Sequence, residues 1–108
     1  MTDTTMQGGT VSFSLPGNLL STNASAVRQE LERLLGAPGA EAGQLALFEL
    51  DLKNAQMIDS VGLNLLVWLI KAVRQREGRL RITVGSVHVE RTLKFTRLDK
   101  QAEIVMAG

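Results

Sequence analysis

Met57-Ile58-Asp59-Ser60-Val61-Gly62-Leu63 sets an acid and a hydroxyl between two hydrophobic segments of different character. Upstream, Leu45-Ala46-Leu47-Phe48-Glu49-Leu50-Asp51-Leu52 is a short apolar run with the length and composition of a buried strand. Downstream, Leu63 to Val73 is apolar at almost every position and runs out at Arg76-Glu77-Gly78, as a buried helix does, with Gly78 as the expected C-cap. The stretch thus predicts a strand, a loop over Lys53-Asn54-Ala55-Gln56, and a helix that starts near Asp59-Ser60. Backbone N–H groups at a helix start lack partners, and the positive end of the helix dipole lies there. An acid and a hydroxyl at that place make the junction the first candidate for function.

The flanking sequence repeats the alternation of strand and helix. Thr10-Val11-Ser12-Phe13-Ser14-Leu15 alternates with a period of two, the pattern of a strand with one buried face, and Pro16-Gly17 stops it. Ser21-Thr22-Asn23 offers N-caps for a helix whose apolar residues Val27, Leu31, Leu34 and Leu35 share one face. Gly36-Ala37-Pro38-Gly39 ends that helix and opens a loop. Leu80-Arg81-Ile82-Thr83-Val84 is a further strand; Val89, Leu93, Thr96 and either Phe95 or Leu98 are expected on the inner face of a short third helix. Ala102-Glu103-Ile104-Val105-Met106 is the expected last edge strand. Strands alternating with helices predict an α/β fold with a mostly parallel sheet and crossover helices packed on it. In such sheets the loops at the carboxyl ends of the strands carry function, and the Asp59-Ser60 junction is one of them.

At 108 residues, with 44% hydrophobic and 21% charged residues, the chain has the size and composition of one globular domain. Its formal net charge of +1 gives no bulk attraction to nucleic acid or to an anionic membrane. The absence of cysteine excludes disulfides, thiolate catalysis and thiolate metal sites, and a reducing cytoplasm fits it. Residues 1–9 lack the basic and apolar regions of a signal peptide and are expected to form a frayed tail, with the single domain at 10–108. The longest nearly unbroken apolar run, Leu65 to Ile70, is far short of the roughly 20 residues that cross a bilayer, so no membrane insertion is expected.

Few residues are suited to catalysis. His88 is the one histidine, so a Ser60–His88 nucleophile and base would need Asp51, Asp59 or another acid to converge on it, and the surroundings of Ser60 lack the Gly-x-Ser-x-Gly elbow. One histidine and scattered carboxylates give no metal-ligand spacing, and the glycines match no nucleotide-binding pattern, so neither cofactor nor metal is expected. Arg74, Arg76, Arg79 and Arg81, with Glu77 among them, read as a solvated helix end. Two readings of Ser60 stay open. It is the N-cap of its helix, or it is a phosphoacceptor whose modification would leave the fold intact and change the surface beside Asp59.

Leu50 to Leu63 resembles the central segment of the STAS domain family, named for sulfate transporters and anti-sigma factor antagonists: a strand end followed by an Asp-Ser-Ser/Thr-Gly-Leu loop. Leu15-Pro16-Gly17-Asn18-Leu19 resembles its Leu-x-Gly-x-Leu segment, and Val89 to Leu98 its final helix. The resemblance implies a four- or five-stranded mixed, mostly parallel sheet with three to four helices mainly on one face. It further implies a bacterial, cytoplasmic, non-enzymatic anti-sigma factor antagonist that works by partner switching. The unphosphorylated domain would bind an anti-sigma serine kinase and be released on phosphorylation of Ser60; a serine phosphatase of the metal-dependent class would reset it. Asp59, Ser60, Val61, Gly62 and Leu63, with Asn18 and Ser21, would form the partner surface. Three positions depart from the pattern: Leu20 stands where the family often has Asp, Val61 replaces the second hydroxyl of the motif, and Arg97 stands where Gly is common. A constitutive docking subunit of a membrane lipid-transport ATPase is the alternative, and an enzyme ranks third.

Overall fold

The computed structural model describes residues 3–7, 9–36 and 45–107. Five strands form one sheet in chain order: β1 (Asp3–Gln7), β2 (Thr10–Ser14), β3 (Leu47–Leu52), β4 (Arg79–Val84) and β5 (Glu103–Met106). β1 runs antiparallel to β2, and β2 through β5 are parallel. The expected frayed tail is therefore corrected over Asp3–Gln7, which pairs along the whole of β2. Its polar sequence hides the strand because, at a sheet edge, backbone pairing suffices. The loop after Gly36 lies outside the described residues.

Helices α1 (Ala24–Leu35), α2 (Ser60–Gln75) and α3 (Val87–Phe95) each connect one parallel strand to the next, and a 3₁₀ turn at Leu98–Lys100 leads into β5. Each crossover advances the sheet in the same direction, and right-handed crossovers of that kind put all their helices on one face. The burial pattern agrees. Val11, Phe13, Phe48, Leu50, Leu52, Leu80, Ile82 and Val84 are buried, while the alternate residues Ser12, Glu49, Asp51, Arg81 and Thr83 are only half-covered. The apolar run at β3 is thus covered on one side. On the open side Arg81 bridges Glu49 (3.6 Å) and Glu103 (3.2 Å), its neighbours across the sheet.

α1 buries Val27, Leu31, Leu34 and Leu35, and α2 buries Leu65, Leu66, Leu69, Ile70 and Val73 against the same core. On α3, Val89 and Leu93 point inward, followed by Leu98. Leu98, and not Phe95, completes that inner face; Thr96 is exposed, its hydroxyl donating back to the carbonyls of Thr92 and Leu93.

The end of α2 differs in detail from expectation. The Gly78 N–H donates to the Val73 carbonyl and the Glu77 N–H to that of Arg74, the paired bonds of a Schellman motif. The left-handed residue in it is Glu77 (φ 62°), one place before the expected glycine. Gly78 is needed for another reason: a Cβ there would lie 3.0 Å from the Leu45 carbonyl oxygen. Arg97, where the family favours glycine, likewise adopts φ 64°. Glycine takes that conformation without the Cβ strain an arginine bears.

Candidate phosphoacceptor site

The loops after β2 and β3 are laced together, and the start of α2 is fixed by that lacing. The Asn18 side-chain oxygen accepts from the N–H groups of Gln56 (2.7 Å) and Met57 (3.1 Å), while the Asn18 carbonyl accepts from the Asn23 side-chain amide (2.8 Å). Leu19 and Ile58 pair in a short parallel bridge, the Leu19 N–H donating to Met57 O and the Asp59 N–H to Leu19 O. Asn18 is therefore a fastener whose amide oxygen is occupied by the neighbouring loop. The sequence signal for this was present but general, since asparagine after Pro-Gly commonly bonds nearby backbone.

Asp59 completes the junction. It is the N-cap of α2, with extended backbone, and its two carboxylate oxygens accept from Gly62 N–H (2.9 Å) and Ser21 N–H (2.7 Å). One side chain thus caps the helix and ties the β2–α1 loop to it. These donors favour the ionised form, so the Gly62 N–H first and the Ser21 N–H second hold the Asp59 carboxyl below the ordinary carboxylate range against a smaller opposing effect of burial. A carboxyl depressed in the folded state stabilises the fold above its unfolded pKa, and that contribution is lost as pH falls through the folded value. Urea midpoints measured from neutral pH down past the ordinary value of 3.8 should fall more steeply for the wild type than for Asp59→Asn. Equal slopes would show that Asp59 carries no such linkage.

Because Asp59 takes the cap, Ser60 does not. Ser60 is the first residue of α2, is exposed, and its hydroxyl makes no hydrogen bond among the described residues. The capping reading of Ser60 gives way to an accessible hydroxyl at the positive end of a sixteen-residue helix. Val61 is exposed beside it, and Gly62 is buried against Leu19, where a Cβ would fall 2.5 Å from the Leu19 carbonyl oxygen. Leu63 is half-buried one turn along from Ser60. Ser21 is exposed, and Leu20 is half-buried with its N–H donating to the Asn23 side chain at the entry to α1.

Between α1 and α2, Ser21, Ala24, Ser25, Arg28, Val61 and Asn64 line a groove of about 320 Å³. Arg28 lies over the Trp68 ring, 4.6 Å from its centroid, so this indole is half-buried under a cation. Leu65 is buried. Neither residue offers a bare apolar patch.

His88 is exposed near the start of α3, and no hydrogen bond links it to Ser60 among the described residues. Asp51 is engaged elsewhere, accepting from the Lys53 N–H (2.9 Å) and pairing with the Lys53 ammonium (3.6 Å). Among the described residues no base is hydrogen-bonded to the Ser60 hydroxyl. Among the described residues, no three of His, Cys, Asp or Glu cluster as a metal site requires, and no helix is long and apolar enough to cross a membrane.

The family model for the STAS domain matches residues 1–106. The chain belongs to the STAS domain family. The same fold is found in an anti-sigma factor antagonist from Mycobacterium paratuberculosis, 19% identical, with 97% of this chain and 84% of that one covered and a TM-score of 0.79. The anti-sigma factor antagonist SpoIIAA in its unphosphorylated form is 17% identical over 100% of this chain and 89% of its own, with a TM-score of 0.77. The murine anion transporter Slc26a9 matches at 13% identity and a TM-score of 0.77, with 96% of this chain but only 17% of the transporter covered. No curated protein matches the sequence. These likenesses establish the fold, a STAS sheet with three helices, as the motif at Leu50 to Leu63 implied.

Proposed function

We propose that this STAS domain is a bacterial, cytoplasmic anti-sigma factor antagonist that switches partners through phosphorylation of Ser60. The observation that carries the proposal is the division of labour at the head of α2: Asp59 caps the helix and leaves the Ser60 hydroxyl exposed and, among the described residues, unbonded. Two solved relatives with this fold are anti-sigma factor antagonists, which supports the same role here. An anti-sigma serine kinase binds the unmodified surface, transfers phosphate to Ser60 and departs, and a metal-dependent serine phosphatase restores the hydroxyl.

The physical effect is local. A phosphoserine adds about −1.5 to −2 charge, and at a helix N-terminus an anion is favourable by about 0.3–1 kcal/mol, so the fold tolerates it. Against a partner the same charge, beside the Asp59 carboxylate, is repulsive. A like charge about 4 Å away costs about 1 kcal/mol in bulk water and about 4 kcal/mol near a protein surface. Binding should therefore weaken by about 5- to 1,000-fold per close contact.

Incubation with the kinase encoded beside this gene and ATP should add one phosphate, mapped to Ser60 by mass spectrometry and lost in Ser60→Ala. Ser60→Asp should weaken the kinase complex. No phosphate at Ser60, with kinase binding unchanged in both variants, would sink the proposal. Leu20 favours the second reading, constitutive docking to a lipid-transport ATPase, because it leaves an apolar, half-buried side chain where an acid is common in the family. Co-purification with such an ATPase, independent of the state of Ser60, would decide for it.

A further inference from the structure

The outer surface of α2 continues from Ser60 into a second feature. Leu63, His88, Arg91, Thr92, Phe95 and Thr96 line a shallow groove of about 480 Å³ between α2 and α3. Phe95, on its α3 wall, is 91% exposed, the most exposed large hydrophobic side chain among the described residues. Val67, one turn beyond Leu63 on α2, is exposed as well. A phenylalanine left almost wholly in water, next to the apolar wall of a groove, is the signature of a contact surface.

Arg91 puts positive charge on the wall of this groove. It is exposed and has no ion-pair partner among the described residues. The carboxylate on α3, Glu90, is taken by Lys94 at 3.3 Å. Two helices with a shallow apolar groove between them accept a third helix, ridge into groove.

We propose that the α2–α3 groove is the docking site for an acidic amphipathic helix of the kinase, with an apolar side chain seated against Leu63 and Phe95 and a carboxylate facing Arg91. The proposal rests on the partner-switching reading and supplies its missing half. Ser60 lies one helical turn before Leu63 on the same face, so its phosphate would confront the acidic helix that Arg91 attracts. The groove draws the partner in, and the modification at its mouth drives the same charges away.

Affinities of the purified neighbouring kinase for the unphosphorylated wild type, Phe95→Ala, Arg91→Glu and, as a control on the exposed face of α1, Glu32→Gln test this. Phe95→Ala should weaken binding at least ~30-fold, the size of an interface hot spot. Arg91→Glu should weaken it at least ~10-fold and flatten its dependence on ionic strength. Glu32→Gln should change nothing, and unfolding curves should confirm that all variants fold, since every substituted side chain is exposed. If both groove variants bind within about twofold of the wild type while Ser60 is still phosphorylated, the groove assignment is wrong and switching stands. If the wild type itself neither binds the kinase nor is phosphorylated, both fall together. Dimerisation of the free domain that Phe95→Ala abolishes would assign the groove to a second copy and overturn the kinase assignment.

Discussion

Phe48→Ala is expected to remove about 3–5 kcal/mol of stability, the range for a fully buried aromatic cut back to a methyl group. Phe48 is completely buried on β3, the middle strand of the sheet, and pairs in register with Val11 on β2 and Leu80 on β4. Among the described residues only one face of the sheet is covered, and they hold no second core to compensate. The strands on either side of Phe48 are pinned by backbone ladders and have little freedom to collapse into the space it leaves. Domains of this size have about 5–15 kcal/mol in total, so the variant should sit close to its unfolding threshold. The urea midpoint measures the loss, and a decrease below about 1 kcal/mol would mean that the core around β3 relaxes far more than its register suggests.

Gly62→Ala should also destabilise, although helix propensity argues the other way. Replacing glycine by alanine inside a helix ordinarily stabilises it by about 0.8–1.0 kcal/mol. Here the new Cβ would lie 2.5 Å from the Leu19 carbonyl oxygen and 3.0 Å from side-chain atoms of Ile58 and Leu19. Overpacking of that kind costs about 1–3 kcal/mol, and the obstacle is backbone held by Asn18, the Leu19–Ile58 bridge and Asp59. The steric cost wins, with a net loss of up to about 2 kcal/mol expected. The β2–α1 loop must move aside, which separates the Ser21 N–H from the Asp59 carboxylate. Besides a lower urea midpoint, amide exchange at Ser21 should quicken. An unchanged midpoint would show that the loop yields freely.

The alternation of strand and helix from β2 to β5 was legible from periods of two in Thr10 to Leu15 and Leu80 to Val84, a period of three to four in Val27 to Leu35, and the apolar runs of β3 and α2. The features that escaped rest on single contacts that no period reports. β1 was missed because an edge strand with polar residues has no hydrophobic alternation to show. Glu77 and Arg97 occupy left-handed backbone against their preference, and only tertiary packing reveals it. The motif at Asp59-Ser60 located the site, but which of the two residues caps the helix depends on where the first helical turn begins, a matter of one residue. Phe95 had a usable signal. Two positions beyond Leu93, it is rotated about 200° around the helix and must face away from the Val89–Leu93 stripe.

α2 has two duties: Leu66, Leu69, Ile70 and Val73 form its inner face in the core, and Ser60, Leu63 and Val67 form the outer. Opening this helix therefore means opening the domain. A partner held on the outer face at about 100 times its dissociation constant adds about 2.7 kcal/mol to the opening free energy of everything packed beneath. Its footprint in amide exchange would be slowed opening of the whole core. Phosphorylated, released protein would lose that protection and become the form that a protease finds first, so the lifetime of the chain in a cell would itself report the state of Ser60.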